Sequence, residues 1–194
     1  AGSTLSFPAA TLLASTQIFV DGGGQTFVNG ASPVIFDASQ LPFGATLLQA
    51  TGTGSLLDLS SVESLVDSRN DNTQSATTHT VAAADGGSIV LSGLRTVVTP
   101  IRVEDQISFV ASDTGTIDLA SLSSTSGIGR TGFQASGSGS ISLGDLSLST
   151  NTVFSVSTGG AIQAEVIRQA EGASTSTIQL LTADAQLVVG LLDL

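Results

Sequence analysis

The chain has 194 residues, enough for one domain with a sizeable core, and only 11% of them are charged, against roughly 25% in typical globular proteins. Its 16 acids and 5 basic residues give a net charge of −11, which argues against nucleic acid and anionic membranes as partners because phosphate binding needs clustered Lys and Arg. Apolar residues make up 41%, which argues against disorder. No apolar run approaches the roughly 18 residues of a transmembrane segment.

The N-terminal part of the chain is the least regular. Phe19 and Phe27 flank the turn DGGGQ with an eight-residue offset that recurs later in the chain, which predicts an early coil of the same kind. Residues 28–47 match the repeat poorly. We therefore predict a single domain over residues 1–194, with an irregular N-terminal coil or cap over 1–47 and regular coils over 48–194.

From residue 48 onward a pattern of apolar-x-apolar-x-x-apolar recurs six times, each time just after a turn of small residues. The pattern starts at residues 57, 89, 117, 141, 162 and 187. Four copies have a further apolar residue eight positions upstream, namely Val81, Phe109, Phe133 and Phe154. A repeat of about 20 to 30 residues with alternating apolar positions is typical of one turn of a β-solenoid. The sequence therefore predicts an all-β parallel β-helix of about six or seven coils, right-handed like most known solenoids, with equivalent side chains stacked in ladders.

Two kinds of segment interrupt or disguise the repeat. Ala161 to Glu171 looks helical in isolation, but it falls in register with the repeat, so we predict a strand. Asp67 to Thr80 is polar and lacks periodicity, which predicts a loop at one corner of the solenoid. A second insertion, Pro100 to Gln106, falls at the same position of the next coil.

The C-terminal run LLTADAQLVVGLLDL finishes on an apolar strand. Solenoids need polar terminal caps because the last coil exposes an unpaired edge. We expect the edge to be covered by a longer parent chain or by another copy, the alternative being a tail that folds back over its own core. The predicted assembly interface comprises Leu187, Val189, Leu191, Leu192 and Leu194.

The runs SDTGTIDLASL, SGSGSISLGDL and ADGGSIVLSGL resemble coils of the right-handed parallel β-helices in large exported bacterial proteins. Filamentous-haemagglutinin-like adhesins and autotransporter passenger domains are the nearest comparison. The resemblance covers roughly residues 48–194 and rests on turns and ladders, without a catalytic signature. It implies secretion, an extracellular or cell-surface location and a stalk or adhesive role. The uneven coil length departs from the regular shafts of the long adhesins.

Few residues indicate catalysis or metal binding. His79 is the single histidine, and we expect it to be an exposed loop residue and not part of a catalytic triad. Asp67, Asn70 and Asp71 crowd one loop, and hard oxygen ligands at such spacing can hold Ca²⁺. The same residues suit a plain Asx-rich turn. Calcium is therefore the one candidate cofactor.

The arginines form a second candidate site. Arg69, Arg102 and Arg130 lie seven or eight residues after the third apolar position of their coils, which would bring them to one edge of the solenoid beside Asp71 and Asp105. Guanidinium groups suit bidentate recognition of carboxylate or sulfate, so the edge is a candidate site for an acidic glycan. The alternative is that these arginines pair with neighbouring acids.

Three functional hypotheses follow from these features. The leading one is a non-enzymatic structural or adhesive module of an extracellular bacterial surface protein or fibre, with polysaccharide or a host surface as candidate partners. The second is a filament subunit that assembles end to end. The third is a polysaccharide lyase or hydrolase of the β-helix type acting on an acidic glycan. The sequence therefore does not decide whether the chain is an enzyme.

Overall fold

The structure, a computed structural model, describes residues 2–30, 33–70, 72–148, 151–169 and 176–193. These residues contain twenty strands and no helix, so the described part holds no helix able to cross a membrane. The strands are β1 (Thr4–Phe7), β2 (Leu12–Ala14), β3 (Ile18–Asp21), β4 (Gln25–Val28), β5 (Val34–Asp37), β6 (Thr46–Thr51), β7 (Leu56–Asp58), β8 (Val62–Val66), β9 (Thr78–Ala84), β10 (Ser88–Val90), β11 (Thr96–Val98), β12 (Gln106–Ala111), β13 (Thr116–Leu119), β14 (Ser124–Ser126), β15 (Arg130–Ala135), β16 (Ser140–Leu148), β17 (Asn151–Val156), β18 (Ala161–Gln169), β19 (Thr177–Leu180) and β20 (Gln186–Asp193).

The strands follow one another around three faces of a solenoid. The first face holds β1, β4, β7, β10 and β13, and the second holds β2, β5, β8, β11 and β14. The long strands β16, β18 and β20 run across both faces and join them into one 13-stranded sheet. The third face is a 7-stranded sheet of β3, β6, β9, β12, β15, β17 and β19.

Apart from the strands at the ends of the sheets, each strand pairs in parallel with the strand one coil before it and the strand one coil after it. Each coil contributes one strand to the third face, and this face has 7 strands. The predicted parallel β-solenoid and its number of coils are therefore confirmed. The residues predicted as the irregular N-terminal part belong to the same sheets, since β1 pairs with β4 and β2 pairs with β5. Segment 161–169 is the strand β18, as its register with the repeat predicts.

The repeat positions stack as the sequence pattern predicts. Leu57 pairs with Ile89 and Ile89 with Ile117. The ladder continues from Ile141 to Ile162 in the later coils. All five side chains are at most 1% exposed. Burial of such aliphatic side chains supplies most of the stabilising free energy of a fold of this kind.

Phenylalanines form an aromatic stack inside the third face. The rings of Phe109 and Phe133 lie 5.4 Å apart at an interplanar angle of 13°, and those of Phe133 and Phe154 lie 5.3 Å apart at 20°. All three side chains are fully buried. Val81 pairs with Phe109 and continues this column into the preceding coil, as predicted.

A column of glycines lets successive coils approach each other at the turn between the third face and the first. A Cβ atom on Gly87 would lie 2.2 Å from the backbone oxygen of Ala50, and one on Gly115 would lie 2.2 Å from that of Ala83. Gly139 and Gly160 repeat the arrangement in the following coils. In these four coils the glycine is therefore required by the close contact between coils, in addition to the turn itself.

Candidate functional site

Several loops connect the second face to the third, and they lie on one corner of the solenoid. Besides the short connection 15–17, four of them are called the corner loops here, and in successive coils their described residues are 38–45, 67–70 with 72–77, 99–105 and 127–129. The second and third of these loops correspond to the two insertions predicted from the sequence, but residues 78–80 belong to β9 and Gln106 to β12. Side chains of Ser39 and Ser68 link the first two loops, since the Ser68 backbone N–H and hydroxyl each lie 2.9 Å from the Ser39 hydroxyl oxygen.

A buried contact between a histidine and a carboxylate lies beneath these loops. Nδ1 of His79 lies 2.9 Å from Oδ2 of Asp67, and both side chains are fully buried. The expectation of an exposed loop histidine is therefore wrong. His79 belongs to the third-face strand β9, where it lies two residues before the buried Val81 and thus points into the core as Val81 does. That two-residue spacing is the sequence signal that could have located it.

Both ring nitrogens of His79 face acceptor oxygens. Nδ1 faces the Asp67 carboxylate, and Nε2 lies 3.0 Å from the backbone oxygen of Pro42. The second oxygen of Asp67, Oδ1, accepts the backbone N–H of Arg69 at 3.2 Å. Asp67 is therefore engaged at both oxygens.

Arg69 is the most unusual side chain of the corner. The residue is 3% exposed. Its Nη2 lies 3.6 Å from Oδ2 of Asp67, yet Nε, Nη1 and Nη2 make no hydrogen bond within the part of the chain that the structure describes. The guanidinium carbon lies 5.6 Å from the ring centroid of Phe43. A buried guanidinium without hydrogen-bond acceptors is costly, because its donors have lost water without replacement.

A pocket of about 280 Å³ opens between the first two corner loops. Arg69 lines it together with hydroxyl, amide and apolar side chains. The lining residues are Ser39, Gln40, Leu41, Phe43, Ser68, Arg69 and Asn70. A larger groove of about 430 Å³ lies over the N-terminal coils, where the exposed Asp21 is the one charged residue in its lining. The corner pocket is the better candidate because it combines a buried charge with unused donors.

The three arginines of the predicted glycan site lie in or directly beside the corner loops, in different settings. Arg69 lines the pocket. Arg102, in the third loop, donates from Nε to Oε1 of Glu104 at 2.7 Å. Arg130 begins β15 and is exposed, and its backbone N–H donates to the Asp105 backbone oxygen at 2.8 Å. Binding of an acidic glycan by these residues stays a prediction.

Two of the three residues predicted to bind calcium, Asp67 and Asn70, lie in the second corner loop. Asp67 is buried with both oxygens engaged, as described above, whereas Asn70 is exposed and its side-chain oxygen accepts the Asn72 backbone N–H at 2.9 Å. Asp71 lies outside the described residues. Within the described ranges, no group of three carboxylate or imidazole side chains is arranged to hold a metal ion. The calcium prediction stays untested.

Four of the five predicted assembly residues lie on β20, the last strand of the 13-stranded sheet, which among the described residues pairs with β18 alone. Leu187 and Val189 are half-buried against the core, whereas Leu191 is 52% exposed and Leu192 is 47% exposed. Leu194 lies outside the described residues. On β19 the neighbouring apolar side chains Ile178 and Leu180 are exposed as well.

These features define the chain as a parallel β-solenoid with a polar pocket at one corner and an exposed apolar edge at its last described coil. Comparison of the chain with protein-family models, with curated proteins and with solved structures finds no match.

Proposed function

We propose that the chain is a non-enzymatic structural module, a segment of the rod of an extracellular bacterial surface protein or fibre. The proposal is supported by the burial of stacked apolar side chains, which decreases at the last described coil. Ile167 is fully buried between its neighbours, whereas its partner on the next coil, Leu192, is 47% exposed. A further coil stacked on β20 would bury Leu192 as β20 buries Ile167.

The edge of this coil is suited to such stacking. Every described coil pairs in parallel through the N–H and C=O groups of its strands, and within the described part of the chain β20 has no partner strand on its outer side. Exposed Leu180 and Leu181, at the end of the third face, extend the apolar surface of the edge. A continuous sequence of such coils would give a rod in which each coil stabilises its neighbours.

A filament subunit that stacks end to end is the second candidate, and the same exposed edge favours it. In that case the coil that covers β20 belongs to another copy of the chain. Head-to-tail contacts of this kind do not close on themselves and therefore generate filaments.

Sedimentation velocity and negative-stain electron microscopy over a range of concentrations would test both candidates. Filaments one solenoid wide would support the filament subunit, and isolated short rods would support a segment of a longer rod. Leu192→Asp places a charge on the edge and should abolish filaments, whereas Val188→Asp, on the outward side of the same strand, should leave them unchanged. Compact particles without an elongated shape would contradict both proposals.

Surface exposure can be tested separately. Expression of the chain fused to a bacterial surface anchor, followed by trypsin treatment of whole cells, should leave the folded module resistant to proteolysis, because the strands of closed coils are protected by inter-coil hydrogen bonds. Rapid degradation of the module at strand positions, and not only at loops, would argue against an extracellular structural role.

A further inference from the structure

We propose that the corner pocket binds a small carboxylate ligand through the guanidinium group of Arg69. The proposal is independent of the structural role above, because the pocket lies on the corner loops and away from the edge of β20. Its starting point is that the three nitrogens of the Arg69 guanidinium group are buried and make no hydrogen bond in the described part of the chain.

The charges around Arg69 leave room for an anion. Among the described residues, Asp67 is the single carboxylate in contact with the guanidinium group, at 3.6 Å, and its Oδ2 also lies 2.9 Å from Nδ1 of His79. The Asp67 carboxylate therefore lies closer to His79 than to Arg69. A ligand carboxylate can accept two parallel hydrogen bonds from a guanidinium group, the geometry that such donors favour.

The remaining lining indicates a hydroxylated ligand. Ser39, Gln40, Ser68 and Asn70 supply hydroxyl and amide groups, while Leu41 supplies apolar surface. At about 280 Å³ the pocket lies near the lower end of the range for ligand sites, which suits a molecule the size of one sugar. A sugar acid combines the carboxylate with several hydroxyl groups, and we take it as the ligand class.

Phe43 controls access to the guanidinium group. Its ring lies over Arg69 at 5.6 Å, and the residue is 57% exposed. The guanidinium nitrogens are shielded from solvent in this arrangement. Because most of the ring is already in solvent, its rotation away from Arg69 uncovers little core surface. Binding therefore includes a displacement of Phe43.

The proposal can be tested by NMR on the uniformly ¹⁵N-labelled chain, using the Nε–Hε resonances of its arginines. We expect sodium glucuronate to shift the Arg69 resonance saturably at constant ionic strength, while the exposed Arg95 resonance stays in place. Glucose, which lacks the carboxylate, should not shift it. Acetate should shift the same resonance with lower affinity, because it offers the carboxylate without the hydroxyl groups.

Two variants sharpen the test. Phe43→Ala should tighten glucuronate binding by about threefold or more. The variant has no ring that covers the Arg69 guanidinium group, so the ligand does not have to displace one. Arg69→Lys should weaken binding by about tenfold, since it removes the two-pronged hydrogen bond. If Arg69→Lys does not fold, the unmodified chain and Phe43→Ala still decide the matter.

Three results would overturn the proposal. The first is an Arg69 resonance that does not respond to glucuronate in either the unmodified chain or Phe43→Ala, as expected if the pocket holds only water. The second is an equal response of Arg69 and Arg95, which indicates nonspecific screening. The third is tighter binding of sulfate than of glucuronate, which would assign the pocket to a tetrahedral anion.

Discussion

Nδ1 of His79 and Oδ2 of Asp67 form a fully buried pair, 2.9 Å apart, that connects β9 to the second corner loop. The contact crosses 12 positions of the chain and fixes the start of that loop against the core. Oδ2 of Asp67 also lies 3.6 Å from Nη2 of the buried Arg69. A buried ion pair of this kind is weak evidence for net stabilisation, but removing one partner leaves the other charge uncompensated.

Asp67→Asn should therefore destabilise the protein strongly. The asparagine leaves His79 and Arg69 without their carboxylate, and we expect the free energy of unfolding to fall by about 3–5 kcal/mol in urea titrations. Asp58→Asn is the matched control, because Asp58 only accepts the Ser60 backbone N–H at an exposed turn. The control should change stability by less than about 1 kcal/mol. Equal effects of the two substitutions would contradict the role given to the pair.

The aromatic stack gives a second prediction. Phe133 is fully buried between Phe109 and Phe154, so Phe133→Ala leaves a cavity in the middle of the column. We expect a loss of about 3–5 kcal/mol in the free energy of unfolding. Phe19→Ala removes the same ring from a residue that is 57% exposed, and it should cost under about 1 kcal/mol. A small loss for Phe133→Ala would mean that the coils collapse to fill the space.

Phe19 also shows where the sequence pattern misleads. The inward column of the third face contains Ile18, Leu48, Val81 and Phe109, joined by backbone register from coil to coil. The eight-residue offset holds in the N-terminal coil, but it starts at Ile18 and not at Phe19. Because alternate residues of a strand face opposite sides, a shift of one residue turns an inward position outward. The bulk of the phenylalanine favoured the wrong register.

The candidate site was predictable only in part. The position of His79 inside the solenoid follows from its spacing to Val81, and the corner loops follow from the interrupted period. The contact between Phe43 and Arg69 does not follow from the sequence. These residues lie in loops of two successive coils, and the loop sequences have no repeat that shows which of their residues face each other. Loop conformation depends on contacts between coils, and a repeat pattern encodes only the strands. The regular ladders were therefore predicted residue by residue, whereas the pocket was not.

The glycine column yields a third prediction. A Cβ on Gly115 would lie 2.2 Å from the Ala83 backbone oxygen, closer than any van der Waals contact, so Gly115→Ala must push two coils apart. We expect a loss of about 1–3 kcal/mol, the usual cost of overpacking. Thr116→Ala, at the exposed neighbouring position, should change stability by about 0.5 kcal/mol or less. Equilibrium unfolding in urea measures both, and an unchanged midpoint for Gly115→Ala would show that the coils are not in close contact there.

Asp184 should titrate below its ordinary range. A hydrogen bond from the Thr182 side chain is the main cause that lowers its pKa below 3.8, and the backbone N–H groups of Asp184 and Gly159 add to it. These bonds favour the charged carboxylate and connect the turn before β20 to the preceding coil. A lowered pKa in the folded state means that this contribution to stability is present above pH 3.8 and is lost as the pH falls through the folded pKa.

A carboxyl ¹³C NMR titration measures the pKa of Asp184 directly. Thr182→Val removes the main hydrogen bond and should raise that pKa towards 3.8, whereas Thr53→Val, in the exposed turn of a distant coil, should leave it unchanged. A pKa at or above 3.8 in the unmodified chain would mean that the turn is not held by these bonds. Because the turn carries β20, weakening it should also increase exchange of the β20 amide hydrogens with solvent at acidic pH.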